Sequence, residues 1–162
     1  MKKALSYIVL TCLLTACYVN APDRDLVHFN ADWVSGQWEL TRKVIDYQVL
    51  LAGVTVASDH VDDSFSIGHR DVFDLKTDHT FLINADTAGT WNCNEHYVEL
   101  HLTNPDIEYY QMLADIGLDT DLQCAATSQD STHVTLYYFG QKNIVIGNLS
   151  GELYFYLEKP QE

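Results

Sequence analysis

From Gly36 onward the chain breaks into many short runs in which apolar and β-branched residues recur at every second position, with turn residues between them at close spacing. A period of two is the signature of a strand with one buried face, and it leaves little room for a helical architecture. Trp38, Leu40, Arg42 and Val44 alternate with Gln37, Glu39, Thr41 and Lys43 in a first strand. The runs 72–75 and 80–83 flank Lys76-Thr77-Asp78-His79, a short hairpin connection. Thr90-Trp91-Asn92 leads through Cys93 to a strand over residues 96–102, in which His96, Val98, Leu100 and Leu102 share one face. Runs over 122–127, 133–139, 144–146 and 153–157 follow, with Gly140-Gln141-Lys142-Asn143 read as a turn. Many short strands at this spacing mean a β-sandwich or a β-barrel.

One helix interrupts the strands. Asn104 is placed to cap it, Pro105 to occupy its first position, and Asp106 and Glu108 to complement its N-terminal dipole. Ile107, Tyr110, Leu113 and Ile116 form its apolar stripe, and Gly117 ends it. The stretch 46–66 is ambiguous: Gln48 to Ala52 fits a continued strand or a short helix, and Asp59 to Ser64 reads as an acidic loop.

The N-terminus points to export. Two lysines precede an uncharged apolar run from Ala4 to Ala16, too short to span a bilayer, which needs roughly 20 residues. The run ends in Leu14-Thr15-Ala16-Cys17, which resembles the lipobox of bacterial lipoproteins. The resemblance implies cleavage before Cys17, acylation of that cysteine, and stable membrane anchoring through two or more acyl chains. Tyr18, rather than aspartate, after the cysteine favours the outer membrane, facing the periplasm, by the same resemblance. Residues 1–16 are then the signal peptide, 17–32 a lipid-anchored polar tether, and 33–159 one domain.

Charge and cysteine use narrow the partners. Removing residues 1–16 takes away Lys2 and Lys3 and no acid, leaving seven basic residues against 23 acidic ones, a formal charge of −16. Such a surface repels nucleic acid and anionic headgroups, and attracts a basic protein or simply keeps the chain soluble. Cys93 and Cys124 are the two cysteines left, an even pair in an oxidising compartment, for which a disulfide is expected. It would close a loop of about 30 residues and contribute roughly 3 to 4 kcal/mol. Without C-x-x-C spacing they make only half a metal site.

Several of the strand residues together resemble the lipocalin-like superfamily of small calycin barrels. Gly36-Gln37-Trp38 matches its opening G-x-W strand, in which tryptophan closes the barrel bottom and glycine lets the chain turn in. Phe73 to Phe81, with Asp78-His79-Thr80-Phe81, resembles the F-x-x-D-G-T-F hairpin of bacterial members, with His79 at the usual glycine, and Gly89-Thr90-Trp91 resembles a second G-T-W strand. The implied fold is an antiparallel up-and-down β-barrel, mainly β, with one short inserted helix. A barrel of about eight strands just holds one small ligand. Leu40, Phe73, Phe81, Val98, Leu100, Leu136 and Phe155 are the candidate lining, or else the filling of a solid core.

Little else in the sequence carries chemistry. There is no G-x-S-x-G elbow, phosphate loop or HExxH, so neither an enzyme nor a cofactor is expected. His60, His69 and His79 lie among aspartates without ligand spacing, and no metal site is expected. Glu99 and His101 share a strand face but lack a third group. Of Tyr137 and Tyr138 one ring must face in and one out, while Tyr154 and Tyr156 share the face opposite Phe155. Two functions follow: a carrier of a small apolar or amphipathic molecule, or an inhibitor or immunity-type lipoprotein that binds a basic envelope-attacking enzyme.

Overall fold

The computed structural model describes residues 31–94, 97–144 and 147–160, with the backbone alone at 127–130. The signal peptide, Cys17, most of the tether and His96 lie outside the described residues. Among the described residues nine strands and two helices follow in the order α1 (Ala31–Val34), β1 (Gly36–Leu51), β2 (Val54–Ser64), β3 (Val72–Leu75), β4 (Thr80–Ile83), β5 (Asp86–Cys93), β6 (Tyr97–Leu102), α2 (Glu108–Ile116), β7 (Asp121–Asp130), β8 (His133–Ile144) and β9 (Gly147–Glu158).

The strands form one antiparallel sheet in the order β2-β1-β3-β4-β5-β6-β7-β8-β9, and β9 returns to pair with β1. Eight strands thus close an up-and-down, lipocalin-like barrel, and β2 stands outside the ring. The sixteen-residue β1 makes this possible by dividing one edge between two partners. Gly36 to Glu39 pair with β3, and Arg42 to Leu51 pair with β2. Its other edge runs along β9 from Glu39↔Glu158 to Leu51↔Gly147. Because β7 pairs β8 only as far as Tyr137, the β1–β2 and β8–β9 hairpins continue side by side past the barrel wall. They make a four-stranded paddle in the order β2-β1-β9-β8.

Two stretches depart from the sequence-based expectation. Residues 46–66 are strand, turn and strand: Ala52 and Gly53 both take positive φ (50° and 82°), the pattern of a tight hairpin turn. The acidic run Asp59 to Ser64 belongs to β2, where a paddle strand exposed along its length shows no apolar alternation. Gly140 to Asn143 are likewise strand, not turn. Gly140 faces Gly151 across the β8–β9 ladder. A Cβ on Gly140 would sit 2.5 Å from the Tyr138 hydroxyl, and one on Gly151 would sit 2.6 Å from Leu118 Cδ1. The glycines make space for those two side chains.

The barrel bottom is closed by Trp38, fully buried, whose Nε1–H donates to the Val34 carbonyl of α1 at 2.7 Å. The Lys159 ammonium lies 4.0 Å from the centre of its ring and donates to Ser35 O, next to Gly36 with φ +108°. Burial holds Lys159 below its ordinary pKa. Arg70 joins the seam of the ring, with Nη1 3.1 Å from both Glu39 of β1 and Glu158 of β9.

The expected disulfide is absent: Cys93 and Cys124 are free thiols. Cys93 pairs with Val98 and Val98 pairs with Cys124, so the two cysteines face inward in one row with a whole strand between them. Two strand spacings are about 10 Å, beyond the roughly 7 Å limit for Cα atoms joined by a disulfide. Burial pushes the Cys124 thiol up to about 12, and burial with the charge of Glu99 raises Cys93. In the folded protein iodoacetamide is therefore expected to alkylate half-buried Cys93 slowly and to leave Cys124 unmodified until denaturant is added. Peptide mass mapping that recovers a Cys93–Cys124 cross-link would contradict this arrangement.

Candidate functional site

The seven candidate lining residues, Leu40, Phe73, Phe81, Val98, Leu100, Leu136 and Phe155, all point into the barrel, and none is more than 2% exposed. All seven belong to one buried core, in which the three phenylalanines form a cluster of rings. Phe73 packs edge-on against Phe81, Tyr109 and Phe155 at ring-centre distances of 5.5, 5.5 and 5.7 Å, and Tyr109 meets Phe155 at 5.9 Å. Tyr109 comes from α2. That helix lies over the barrel's open end and lowers Ile107, Tyr109 and Leu113 into the core.

The helix differs in detail from the sequence reading. It begins at Glu108, and Ile107 at its N-cap makes no side-chain cap bond. Asn104 instead closes a turn of its own, accepting from the Asp106 N–H at 3.0 Å, and its amide donates to Thr87 O. The buried face is centred on Tyr109 and Leu113, and Tyr110 is half-buried. Gly117 ends the helix in the left-handed conformation, as a C-terminal glycine does.

Two polar contacts hold α2 in place. The Tyr109 hydroxyl donates to the Asp71 carboxylate, which the Asn84 side-chain amide also contacts at 2.6 Å. Burial, followed by that carboxylate, raises the phenol far above its ordinary pKa. Lys43, 6% exposed, places Nζ 3.7 Å from Asp63 of β2 and from Glu108 of α2, with the Tyr109 ring 5.3 Å away. A ligand entering the barrel from this end would have to displace the helix.

The outward faces hold the other functional groups. Tyr138 is the inner of the tyrosine pair, and Tyr137 faces out beside Tyr154, 4.7 Å between ring centres. Tyr154 stacks on Tyr156 at 6.5 Å and 20°, and the Arg42 guanidinium covers Tyr156 at 5.2 Å while forking onto Asp62 at 2.8 and 2.7 Å. The rings therefore cover one another's faces, and the Tyr154 hydroxyl donates to the Glu152 carboxylate at 3.0 Å. This is not an open platform for stacking a sugar or base, but it suits a protein surface. Beyond the ladder Phe139 is 43% exposed. It borders a shallow concavity of about 520 Å³ whose other walls include Asp46, Gln48, His60, Ser150 and Glu152. The hydrogen bond and charge of Asp46 raise the pKa of His60.

The remaining titratable candidates stay apart. His101 pairs with Asp121 on the exposed outside of β6 and β7, and Gln123 donates to Glu99 beside them. His79 takes φ +67° at the hairpin position usually held by glycine, its ring 5.6 Å from Trp91 and its Nδ1 3.2 Å from the Trp91 carbonyl. Asp78 in the same turn is lowered by the Thr80 N–H and hydroxyl. Among the described residues no three His, Cys, Asp or Glu side chains converge as a metal site, and no helix is long and apolar enough to cross a membrane.

No protein-family model, curated protein or solved structure matches the chain.

Replacing Tyr109 with Phe keeps the ring and removes the bond to Asp71, and is expected to cost about 1–2 kcal/mol in urea unfolding, since a bond to a charged, half-buried acceptor is lost. A protonated His60 is favoured in the folded state, so its stabilisation is complete below pH 6.5 and is lost as pH rises through the raised value. In an NMR titration its midpoint is expected above 6.5, and Asp46→Asn should bring it back toward 6.5.

Proposed function

We propose that this chain is a lipid-anchored envelope lipoprotein, held at the outer membrane through Cys17, whose filled barrel is a rigid scaffold for binding a basic protein. The observation that carries this reading is the interior: the residues best placed to line a cavity are packed against each other and against the helix over the mouth. A carrier needs an accessible pocket, usually of several hundred Å³ inside the fold, and here that space holds Phe73, Tyr109 and Phe155. A binding scaffold needs a rigid face with anchoring rings, which the Tyr137–Tyr154–Tyr156 ladder and Phe139 supply.

Charge selects the partner. Asp46, Asp59 and Glu152 border the concavity beside Phe139. With a mature charge of −16, long-range steering favours a cationic protein and disfavours nucleic acid. A lysozyme or a secreted effector toxin that attacks the envelope is the natural class, which makes the chain an inhibitor or immunity-type lipoprotein.

The test is binding and inhibition with a panel of basic muramidases. Nanomolar to micromolar binding that weakens with salt is expected for at least one of them. Phe139→Ala together with Glu152→Lys should reduce it by about tenfold or more, the usual effect of removing an interface anchor. Absence of binding across the panel, or equal binding by the double variant, would remove the reading.

A further inference from the structure

The inner face of the paddle carries a second concavity, on the side opposite the tyrosine ladder, which meets the concavity beside Phe139 at Tyr47 and Asp59. It lies between the C-terminal half of α2 and the β1–β2 hairpin, with a volume of about 390 Å³. It exists because α2 is only nine residues long. The first half of the helix plugs the barrel. Gly117 then turns the chain back toward β9, where Leu149 lies 3.3 Å from the position of a Gly117 Cβ and Leu118 packs over Gly151. The β2 side of the paddle is left uncovered.

The floor is apolar. Ile45 faces Val61 across the β1–β2 ladder, Tyr47 lies beside them, and Met112 and Ile116 form the helix wall. The rim is anionic: Asp59 from β2, Glu108 and Asp115 from α2, with none of the lining residues carrying a positive charge. Lys43 is shared between Asp63 and Glu108, and Asp59 accepts from the His60 N–H at 2.9 Å. Half-buried apolar side chains ringed by three carboxylates fit one kind of occupant. An anion would meet repulsion from the rim and from the whole chain. A neutral apolar molecule would leave the carboxylates without a counter-charge. A molecule with an aliphatic body and a cationic nitrogen satisfies both parts, and the volume falls in the range of roughly 300–1,000 Å³ typical of small-molecule sites.

We infer that the groove between α2 and the β1–β2 hairpin is a binding site for an amphipathic cation, a long-chain amine or quaternary ammonium compound. The groove shares Tyr47 and Asp59 with the concavity beside Phe139, whereas Asp115 and Ile116 line the groove alone and separate the two sites in a test. Ile45, Val61 and Ile116 take the chain, and Asp59 and Asp115 take the nitrogen.

The sequence provides a reporter. Met112 lines the groove, and the only other methionine is Met1. The experiment is ¹³C-methyl-methionine NMR of the full chain in lipid nanodiscs, with the Met112 signal assigned by Met112→Leu. Octylamine, octanol and octanoate, which share one chain length, are the probes. Octylamine should shift the Met112 signal saturably, at free concentrations at least tenfold below those at which octanol or octanoate acts. Asp115→Asn, which changes one exposed carboxylate, should weaken octylamine about fivefold or more and narrow its advantage over octanol. Ile116→Trp should fill the groove and abolish the shift. The proposal is overturned if octylamine leaves Met112 unmoved, if octanol acts at the same concentration, or if Asp115→Asn changes nothing. A lysine-rich peptide that moves Met112 when octylamine does not would overturn it in favour of a protein contact. The muramidase panel is unaffected by any of these outcomes.

Discussion

The pairing of β1 with β9, from Glu39↔Glu158 to Leu51↔Gly147, is the contact on which the rest of the structure depends. It does two jobs along one strand. Near the bottom it closes the ring, so that the barrel strands have no free edge to pair with another chain. Further up it joins two hairpins that would each be marginal alone into a four-stranded sheet. Arg70, between Glu39 and Glu158, places a charged, mostly buried clamp at the point where one role gives way to the other. A bulge between Leu40 and Arg42 falls at the same place, where β1 leaves β3 and begins to pair with β2. Extra local twist from such a bulge lets one strand belong to a curved wall and then to a projecting sheet.

Filling the ring has a functional consequence. An eight-stranded barrel is at the size where side chains alone can occupy the interior. Here the helix completes that filling, with Tyr109 entering a cluster of rings from β3, β4 and β9. Dense packing of this kind resists deformation and gives little room for a guest. On the paddle, the strands support the tyrosine ladder on one face and the helix-lined groove on the other.

Four of the basic residues are placed at joins. Arg42 ties β1 to β2, Lys43 ties both to α2, Arg70 ties the ring seam, and Lys159 seals the bottom over Trp38. These contacts involve few of the 23 acidic residues. Acidic residues border both paddle concavities: Asp46, Asp59 and Glu152 beside Phe139, and Asp59, Glu108 and Asp115 beside α2. The charge that favours a cationic partner is thus also the surplus left after the cations have joined the elements.

The strand alternation, the glycine and tryptophan at the start of β1, the Asp78 hairpin and the inward row from Leu40 to Phe155 could all be read in the chain, because period-two burial and turn chemistry are local properties. The barrel in particular, rather than a sandwich, came from the motif resemblance. Where burial was one-sided or missing, local reading failed. The β2 strand is exposed at every position but Val61 and shows no apolar alternation, and Gly140 resembles a turn glycine although its role is to admit the Tyr138 ring. Cys93 and Cys124 looked like a pair because sequence counts cysteines, but their distance depends on β6 running between them. Sequence by itself determined which residues face inward and how strongly the chain repels anions. Only the tertiary structure decided that the interior is closed by α2 and that the paddle exists, since both depend on which distant strands share an edge, and edge sharing leaves no mark on the residues of either strand alone.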